Sequence, residues 1–257
     1  MEKGTSTDTR LIFSFLGKDK KEEIDFFAND ASQEEYHQIK SAQEVEDLFG
    51  EITFNFLLNS KQSELNILKS YTSYTYKELN AVMRNTWNYE ENGRLTPEIK
   101  QDYLDRGERM TKLIRKFPSL EKNIKTYRGT SLRQFKAYGI TSLADLKSMV
   151  GNYMYDPSFT STSLVRESSL LGMENFFTGE RNIEIEYLIP ATCKDGAILL
   201  DSYSNEECEY LINSSNLSKI TKVEIDEENK TAFVQAVLIP KSLWDPYQIE
   251  EEMEIKM

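Results

Sequence analysis

The stretch Ile183–Ile189 reads Ile-Glu-Ile-Glu-Tyr-Leu-Ile and gives the clearest strand signal in the chain. Apolar and polar side chains alternate along it, as they do in a strand with one buried face. A turn of hairpin type is indicated at 226–229, where the sequence is Asp-Glu-Glu-Asn. The second half of the chain carries further β-prone runs, at 125–128, 159–164, 197–200, 207–212, 220–225 and 231–239.

The first half of the chain shows helical periodicity instead. Residues 20–50 have the apolar spacing of two short amphipathic helices, and residues 62–84 predict a helical region that is interrupted at 71–76. Thr96-Pro97 is a helix start signal. The helix that it opens is predicted to bury five residues: Ile99, Tyr103, Met110, Leu113 and Ile114. Helices followed by strands predict an α+β domain.

Composition limits the classes of function. The chain has 257 residues, 39% of them hydrophobic, which fits one sizeable domain. Its net charge of −12 disfavours a general binder of nucleic acid or of anionic membranes. We expect no membrane span, because no apolar run approaches the ~18 residues required. We also expect no signal peptide, because the first ten residues are polar.

The histidine and the cysteines exclude several kinds of site. A Ser-His-Asp triad, a Cys-His pair or a His-rich metal site would have to use His37, the one histidine. His37 lies in a polar stretch that is predicted to be helical and solvated, so hydrolase and zinc-enzyme functions are disfavoured. Two cysteines, Cys193 and Cys208, are too few for a disulfide scaffold and are expected to be buried thiols.

Arg128 and Gly129 form the first motif whose residue types suit ligand binding. An arginine at a strand end can turn its planar guanidinium toward a pyrophosphate and donate two parallel hydrogen bonds. The glycine keeps the backbone clear of the ligand. The alternative is a strand-ending arginine in a surface salt bridge, and the motif by itself favours that alternative.

Ser161, Thr162 and Ser163 form the second motif. In an extended chain Ser161 and Ser163 share one face, where a hydroxyl can orient a carboxylate from a neighbouring strand. The alternative is a polar edge strand or a turn.

Glu207 and Glu209 form the third motif. A strand places both carboxylates on one face and turns Cys208 toward the core. Neighbouring carboxylates disfavour each other's ionisation and often mark acid–base or cation-stabilising sites. The alternative is an acidic loop on an acidic protein.

The order of these motifs resembles the Arg / Ser-Thr-Ser / Glu-x-Glu signature of the ADP-ribosyltransferase family, in the branch that includes the clostridial binary toxins. Residues 156–164 resemble the family's Gly-Phe-x-Ser-Thr-Ser-Leu segment, with Ser158 where many members have glycine. Residues 64–84 resemble the helical segment that precedes the catalytic core, through Tyr71, Tyr76, Asn80 and Arg84. The likeness covers about 50–240. Residues 211–215 depart from the family's Leu-Pro-Arg-Gly.

The resemblance implies a fold and a domain division. The fold is α+β, with a helical N-terminal portion packed on a mixed or antiparallel two-sheet β core around an NAD cleft. The expected division is an N-terminal helical extension at 1–49, an ADP-ribosyltransferase catalytic domain at 50–245 and an acidic tail at 246–257.

The resemblance also implies a mechanism with NAD as substrate and no metal. Arg128 holds the phosphates of NAD, and Ser161 hydrogen-bonds Glu209. Glu209 contacts the nicotinamide ribose and stabilises the oxocarbenium-like state as the bond to nicotinamide breaks. Glu207 positions the incoming arginine of the acceptor and assists its deprotonation, which is needed because free arginine is protonated at neutral pH.

Further contacts follow from the same likeness. NAD-binding candidates, besides Arg128, Ser161 and Glu209, are Gly129, Thr162, Ser163, Asn80, Phe176 or Phe177, and Arg181. Protein-substrate candidates, besides Glu207, are Tyr71, Tyr76 and Tyr203. The alternative for the phenylalanines is core packing, and the alternative for the tyrosines is a structural role.

The implied partner is a host protein, modified in the host cytosol by a secreted bacterial toxin or effector. Actin is one candidate target, by analogy with the binary toxins. A separate translocation component is left open, although residues 1–45 are too short for the full adaptor domain of those toxins. Two alternatives are an enzyme that is mainly an NAD glycohydrolase and an inactive domain that only binds a partner. The complete set Arg128, Ser161, Glu207 and Glu209 argues against the inactive domain.

Overall fold

In the computed structural model of the protein, residues 9–89, 93–171, 182–199 and 208–245 are described. Helices fill the first half, as predicted, and a short helix follows the third strand. Short 3-10 turns occupy Leu132–Tyr138, Ala144–Met149 and Lys241–Leu243. The α-helices are α1 (Thr9–Ala31), α2 (Ala42–Asn59), α3 (Gln62–Ser70), α4 (Tyr76–Met83), α5 (Pro97–Ile114) and α6 (Arg166–Leu171).

Helix α5 begins at the predicted signal. The Thr96 side chain accepts a hydrogen bond from the main-chain N–H of Ile99, and Pro97 occupies the first turn. Met110, Leu113 and Ile114 are buried as predicted. The prediction was wrong for Ile99, which is 42% exposed because the first turn of the helix projects beyond the core.

The interruption predicted at 71–76 is a π-helical turn. Tyr71–Thr75 forms this turn between α3 and α4. A π turn shifts the helix face that follows it, and such turns are frequent at functional sites. Here it turns Tyr71 into the core, where its side chain is 2% exposed.

Eight strands form the β core, and their order across the sheet is β2-β7-β8-β4-β1-β3-β6-β5. Neighbouring strands are antiparallel except β4 and β8, which are parallel. Their bounds are β1 (Ile124–Thr130), β2 (Tyr153–Asp156), β3 (Thr160–Ser163), β4 (Ile183–Ile189), β5 (Gly196–Leu199), β6 (Glu209–Ile212), β7 (Asn216–Asp226) and β8 (Thr231–Ile239).

The α+β fold is confirmed, but hydrogen bonding joins the strands into one sheet where two sheets were expected. The hydrogen-bonded link between two groups of strands in this sheet is narrow. Among the described residues, β1 and β3 meet in register at the pair Tyr127 and Ser163. The larger group β2-β7-β8-β4-β1 and the smaller group β3-β6-β5 lie on either side of that pair, and the NAD cleft that the family resemblance implies is expected at this junction.

Strand β4 has the predicted bounds, but it is buried on both faces and not on one. Glu184 and Glu186 are 8% and 6% exposed. Arg166 forms a bidentate ion pair with Glu184, and Lys125 contacts Glu186 at 3.3 Å. A buried carboxylate is tolerated when it is paired in this way.

The hydrophobic core has two parts. The larger part packs helices α2 to α5 on the sheet and includes Val45 of α2. The smaller part packs Ile24 and Ala28 of α1 against β2, β7 and β8. Helix α2 runs continuously through the boundary expected at 49/50, while the tail expected at 246–257 lies outside the described residues.

His37 is not helical, contrary to the prediction. It forms a bridge with Ile124 beside the first strand, and its Nε2 lies 2.9 Å from Glu44. This tertiary pairing overrides the local propensity of a polar stretch.

Cys193 and Cys208 are buried free thiols, as predicted. In the described part of the chain, no helix has the length and apolar character needed to cross a membrane.

Candidate functional site

Arg128 lies in β1 directly after Tyr127, at the link between the two strand groups. Its Nη1 donates a hydrogen bond of 2.7 Å to the main-chain carbonyl of Ser161 in β3. Its Nε is buried and has no hydrogen-bond partner within the described residues. The guanidinium is therefore anchored at one end and has an unsatisfied donor at the other, and a buried unsatisfied donor favours an anionic or polar ligand.

Strands β3 and β6 bring the second and third motifs together. Ser163 is the register partner of Glu209, and Thr162 donates from Oγ1 to the Tyr210 carbonyl at 2.7 Å. Ser161, which was predicted to orient Glu209, is the register partner of Leu211, two residues further along β6, and is a diagonal neighbour of Glu209 on the same face. The Ser163 hydroxyl also donates to the Val165 carbonyl at 2.8 Å. Of the two serines, Ser163 is therefore the one that faces Glu209 in register.

The chain turns sharply just before Glu209. Cys208 has a φ of 43°, in the left-handed region that non-glycine residues seldom adopt. Its side chain is 4% exposed and packs in the main core, the direction predicted for it. Burial raises the pKa of the Cys208 thiol. Strand β6 begins at Glu209, directly after Cys208, so Glu209 occupies a strand end beside a sharp turn.

Tyr71 and Asn80 bring the helical segment up to this junction, where the Tyr71 ring packs on that of Phe159, just before β3, at a centroid distance of 5.4 Å. Asn80 donates from Nδ2 to the Tyr71 hydroxyl at 3.1 Å, whereas Asn80 Oδ1 is buried and has no partner in the described residues. Burial raises the pKa of Tyr71, the Asn80 hydrogen bond lowers it, and the Glu209 carboxylate raises it further. Arg128 acts electrostatically on the same hydroxyl. The charges of Glu209 and Arg128 therefore act on the hydroxyl of a residue in the helical segment.

A second arginine stands near this cleft. Arg84, at the end of α4, forms a bidentate ion pair with Asp156, with Nε–Oδ1 and Nη2–Oδ2 distances of 3.0 and 2.7 Å. Burial acts to lower the pKa of Arg84, but the hydrogen bonds and charge of Asp156 outweigh it, so the pKa is raised. Arg84 therefore stays charged and is neutralised by a partner of its own.

Sequence reasoning assigned no role to Asp156, Gln134 or Tyr187. Burial raises the pKa of Tyr187 to about 12, and the nearby charge of Arg128 opposes this shift. Thr130 donates to Gln134 Oε1 at 2.7 Å, next to the end of β1. The sequence signal for Asp156 is its place directly before Pro157, where aspartate often accepts hydrogen bonds from the following turn.

Several predicted site residues lie outside the described residues: Glu207, Phe176, Phe177, Arg181 and Tyr203. Gly129 continues β1 after Arg128, where its register partner is Glu184. Tyr76 is 43% exposed at the start of α4. No group of three or more histidine, cysteine, aspartate or glutamate side chains in the described residues is arranged to hold a metal ion.

Several solved structures from bacteria are similar to this chain. The Clostridium limosum C3 exoenzyme is 19% identical, with a TM-score of 0.60, and the match covers 80% of this chain and 98% of that one. The C3stau2 structure from S. aureus, solved with NAD, is 15% identical, with a TM-score of 0.61 and coverage of 81% and 100%. At these identities the likeness concerns the fold.

The enzymatic component C2-I of the C2-toxin from Clostridium botulinum is also similar. It is 16% identical, with a TM-score of 0.58, and the match covers 80% of this chain and 49% of that one. This chain therefore corresponds to about half of C2-I.

A comparison with curated protein sequences gives no match. The family model of the ADP-ribosyltransferase exoenzymes, in contrast, matches residues 33–241. That range contains Arg128, the Ser161–Ser163 strand segment and Glu209 in the order expected from their motifs. Because the match spans most of the chain, the protein belongs to the ADP-ribosyltransferase exoenzyme family.

Proposed function

We propose that the protein is an NAD-dependent mono-ADP-ribosyltransferase that modifies an arginine side chain of a host protein, as a secreted bacterial toxin or effector. Membership of the ADP-ribosyltransferase exoenzyme family supports the class of reaction. The likeness to C2-I, the enzymatic component of a toxin, supports the toxin role. The finer assignments are argued from the residues of the cleft.

The convergence of three strands carries the proposal. Arg128 of β1 is held by Ser161 of β3, and Glu209 of β6 lies in register with Ser163 of that same strand. Arg128 and Glu209 both act on the buried hydroxyl of Tyr71. One cleft thus combines a fixed guanidinium with a carboxylate. This pairing suits a substrate that carries a pyrophosphate and develops positive charge during reaction.

The cleft fits NAD through its unsatisfied polar atoms. Arg128 Nε is a buried donor for a phosphate oxygen, and Asn80 Oδ1 is a buried acceptor for a hydroxyl or an amide. NAD would supply the ADP-ribosyl group and the nicotinamide leaving group. Two structural relatives, C3stau2 and the BECa toxin component of C. perfringens, were solved with NAD and with NADH. We assign phosphate binding to Arg128 and stabilisation of the cationic ribose to Glu209.

The choice of arginine as acceptor is assigned to Glu207. It precedes Glu209 by two residues, as in the Glu-x-Glu signature. An arginine side chain is protonated at neutral pH, so a carboxylate that binds the guanidinium and accepts its proton makes it a nucleophile. A glutamine at this position would indicate a different acceptor. Actin stays one candidate target, by resemblance to the binary toxins.

Labelled NAD added to a host-cell lysate tests the proposal. NAD labelled in its adenylate half is incubated with the lysate and the protein, and the labelled product is identified by mass spectrometry. We expect one or a few host proteins to carry ADP-ribose on arginine, and Glu209→Gln to abolish the labelling. Label on another residue type would overturn arginine specificity. Nicotinamide release without protein labelling would indicate a glycohydrolase, and an absence of NAD binding would indicate a binding domain.

A further inference from the structure

The Asp156 carboxylate collects hydrogen bonds from several parts of the chain. Besides the bidentate contact with Arg84, its Oδ1 accepts from the main-chain N–H and the hydroxyl of Ser158, each at 2.9 Å. Its Oδ2 accepts from the Thr160 hydroxyl at 3.3 Å. A carboxylate offers about four lone-pair positions. These five donors therefore use its full capacity, and the side chain is only 16% exposed.

The donors belong to opposite walls of the cleft. Arg84 follows α4, and its main-chain N–H donates to the Asn80 carbonyl at 2.9 Å, one turn earlier. Thr160 is the first residue of β3 and directly precedes Ser161, whose carbonyl holds Arg128. One carboxylate thus ties the wall that carries Asn80 to the wall that carries Arg128.

The turn that follows Asp156 is fixed from its other side by Asn216. Asn216 is the register partner of Asp156 in the β2–β7 ladder. Its Nδ2 donates to the Ser158 carbonyl at 3.2 Å and to the Thr160 hydroxyl at 3.4 Å. The position of Asp156 is therefore set by the sheet, and Arg84 reaches it from the end of α4.

Arg84 and Arg128 differ in which of their guanidinium nitrogens are already hydrogen-bonded. Asp156 occupies both Nε and Nη2 of Arg84 and neutralises its charge. Arg128 pairs with a carbonyl, and its Nε has no partner in the described residues. Of the two guanidinium groups, Arg128 is the one suited to bind an anion, and Arg84 is the one suited to hold structure.

We propose that Asp156 is a positioning residue for the nucleotide: through Arg84 and Thr160, its carboxylate sets the spacing between the Tyr71–Asn80 wall and the Ser161–Arg128 wall. The inference rests on the proposed function, because it assumes that NAD binds between these walls. Glu209 is placed independently of Asp156, because its main chain is in register with Ser163 in the β3–β6 ladder. Loss of Asp156 should therefore weaken NAD binding and leave the chemical step largely unchanged.

Asp156→Asn separates positioning from catalysis. The amide keeps the size of the side chain but removes its charge and replaces one acceptor with a donor, so at least two of the five donors lose their acceptor. We expect the Kd and the KM for NAD to rise roughly tenfold, which matches the loss of one charge-assisted hydrogen bond. The kcat for nicotinamide release should stay within about threefold of the wild type. Calorimetry gives the Kd, and steady-state kinetics give KM and kcat.

Glu184→Gln is the matched control. Glu184 binds Arg166 with the same bidentate geometry, at 2.9 and 2.7 Å. Its register partner is Gly129, so its side chain projects to the sheet face opposite that of the neighbouring Arg128. We expect Glu184→Gln to lower the melting temperature but to leave the KM for NAD within about twofold. A rise in the KM of Glu184→Gln as large as that of Asp156→Asn would overturn the inference.

Arg84→Gln provides a second variant that leaves the β2–β3 turn intact. Arg84→Gln should raise the KM for NAD, as Asp156→Asn does. The KM of the double variant should not exceed that of the more impaired single variant, because the two residues act as one unit. Independent, multiplicative effects, or a fall in kcat at constant KM, would overturn the inference. Wild-type protein that does not bind NAD would contradict the proposed function. Normal wild-type binding with an unchanged KM in both variants would contradict the positioning role only.

Discussion

Arg128 donates a hydrogen bond from Nη1 to the main-chain carbonyl of Ser161, across 2.7 Å. The contact lies beside the Tyr127–Ser163 pair, which links the two strand groups of the sheet. It therefore adds a side-chain hydrogen bond to a link that is one register pair wide in the described residues. Because the partner is a main-chain atom, the direction of the guanidinium is fixed before any ligand arrives.

Arg128→Lys tests this anchoring. A lysine cannot hold the Ser161 carbonyl and at the same time present a second donor in a fixed plane. A hydrogen bond to a charged group contributes about 1.5–3 kcal/mol, so we expect the Kd for NAD to rise about 10- to 100-fold. Calorimetry measures the Kd, and the melting temperature should change little. Arg94→Lys, at an exposed position, is the control. An unchanged Kd in Arg128→Lys would exclude a phosphate-binding role.

Gly196→Ala should destabilise the β5–β6 pair. A Cβ atom at Gly196 would lie 2.4 Å from the ring of Tyr210, which is fully buried and follows Glu209. Overpacking of this kind costs about 1–3 kcal/mol in the free energy of unfolding. We expect a lower midpoint in urea unfolding and reduced activity, because β6 must move. A midpoint equal to that of the wild type would contradict the packing described here.

Gly107→Ala is the matched counterpart in helix α5. Its added Cβ would lie 3.2 Å from the sulfur of Met83, at the flexible end of a side chain. Alanine is better than glycine in a helix by about 1 kcal/mol. We therefore expect the urea unfolding midpoint of this variant to equal or exceed that of the wild type. A large fall in the midpoint would show that α4 and α5 cannot adjust to the added methyl group.

The attachment of α1 should depend on pH. Asp25 accepts hydrogen bonds from Lys219 at 2.7 Å and from the Tyr153 hydroxyl at 2.6 Å. Burial acts to raise the pKa of Asp25, but these hydrogen bonds outweigh it and lower the pKa below its usual value of 3.8. A carboxyl group whose pKa is lowered by folding stabilises the protein above 3.8, and that stabilisation is lost as the pH falls through the folded-state pKa.

Asp25→Asn measures that contribution. Near neutral pH the variant should be less stable than the wild type by about 1–3 kcal/mol, because the buried Lys219 loses its charged partner. The difference should shrink as the pH falls below 3.8. Chemical unfolding across this pH range gives both curves, and Asp30→Asn, exposed on the same helix, is the control. A difference that does not change with pH would rule out the linkage.

Sequence periodicity predicted the fold best where one segment determines its own structure. Strands β4 and β8 have the predicted bounds, and α5 starts at its Thr96-Pro97 signal. The errors arose from partners far along the chain. The burial of Glu184 depends on Arg166, and the bridge at His37 depends on Ile124.

Order along the chain predicted the candidate site better than any single motif did. Arg128, the Ser161–Ser163 segment and Glu209 come together on neighbouring strands. The sequence could not indicate which serine faces Glu209, because strand register is set by pairing across the sheet. It also missed Asp156 as the partner of Arg84, which lies 72 residues away.

The division of labour between Glu207 and Glu209 is the central claim, and nicotinamide release tests it most directly. Release from NAD is measured for the wild type, Glu207→Gln and Glu209→Gln, with and without agmatine, a small guanidine acceptor, and transfer to agmatine is quantified in parallel. We predict that Glu209→Gln loses release and transfer by about 100-fold or more. Glu207→Gln should lose transfer but keep measurable release. Full activity in Glu209→Gln would contradict the account, and equal loss of both activities in Glu207→Gln would contradict the separate roles.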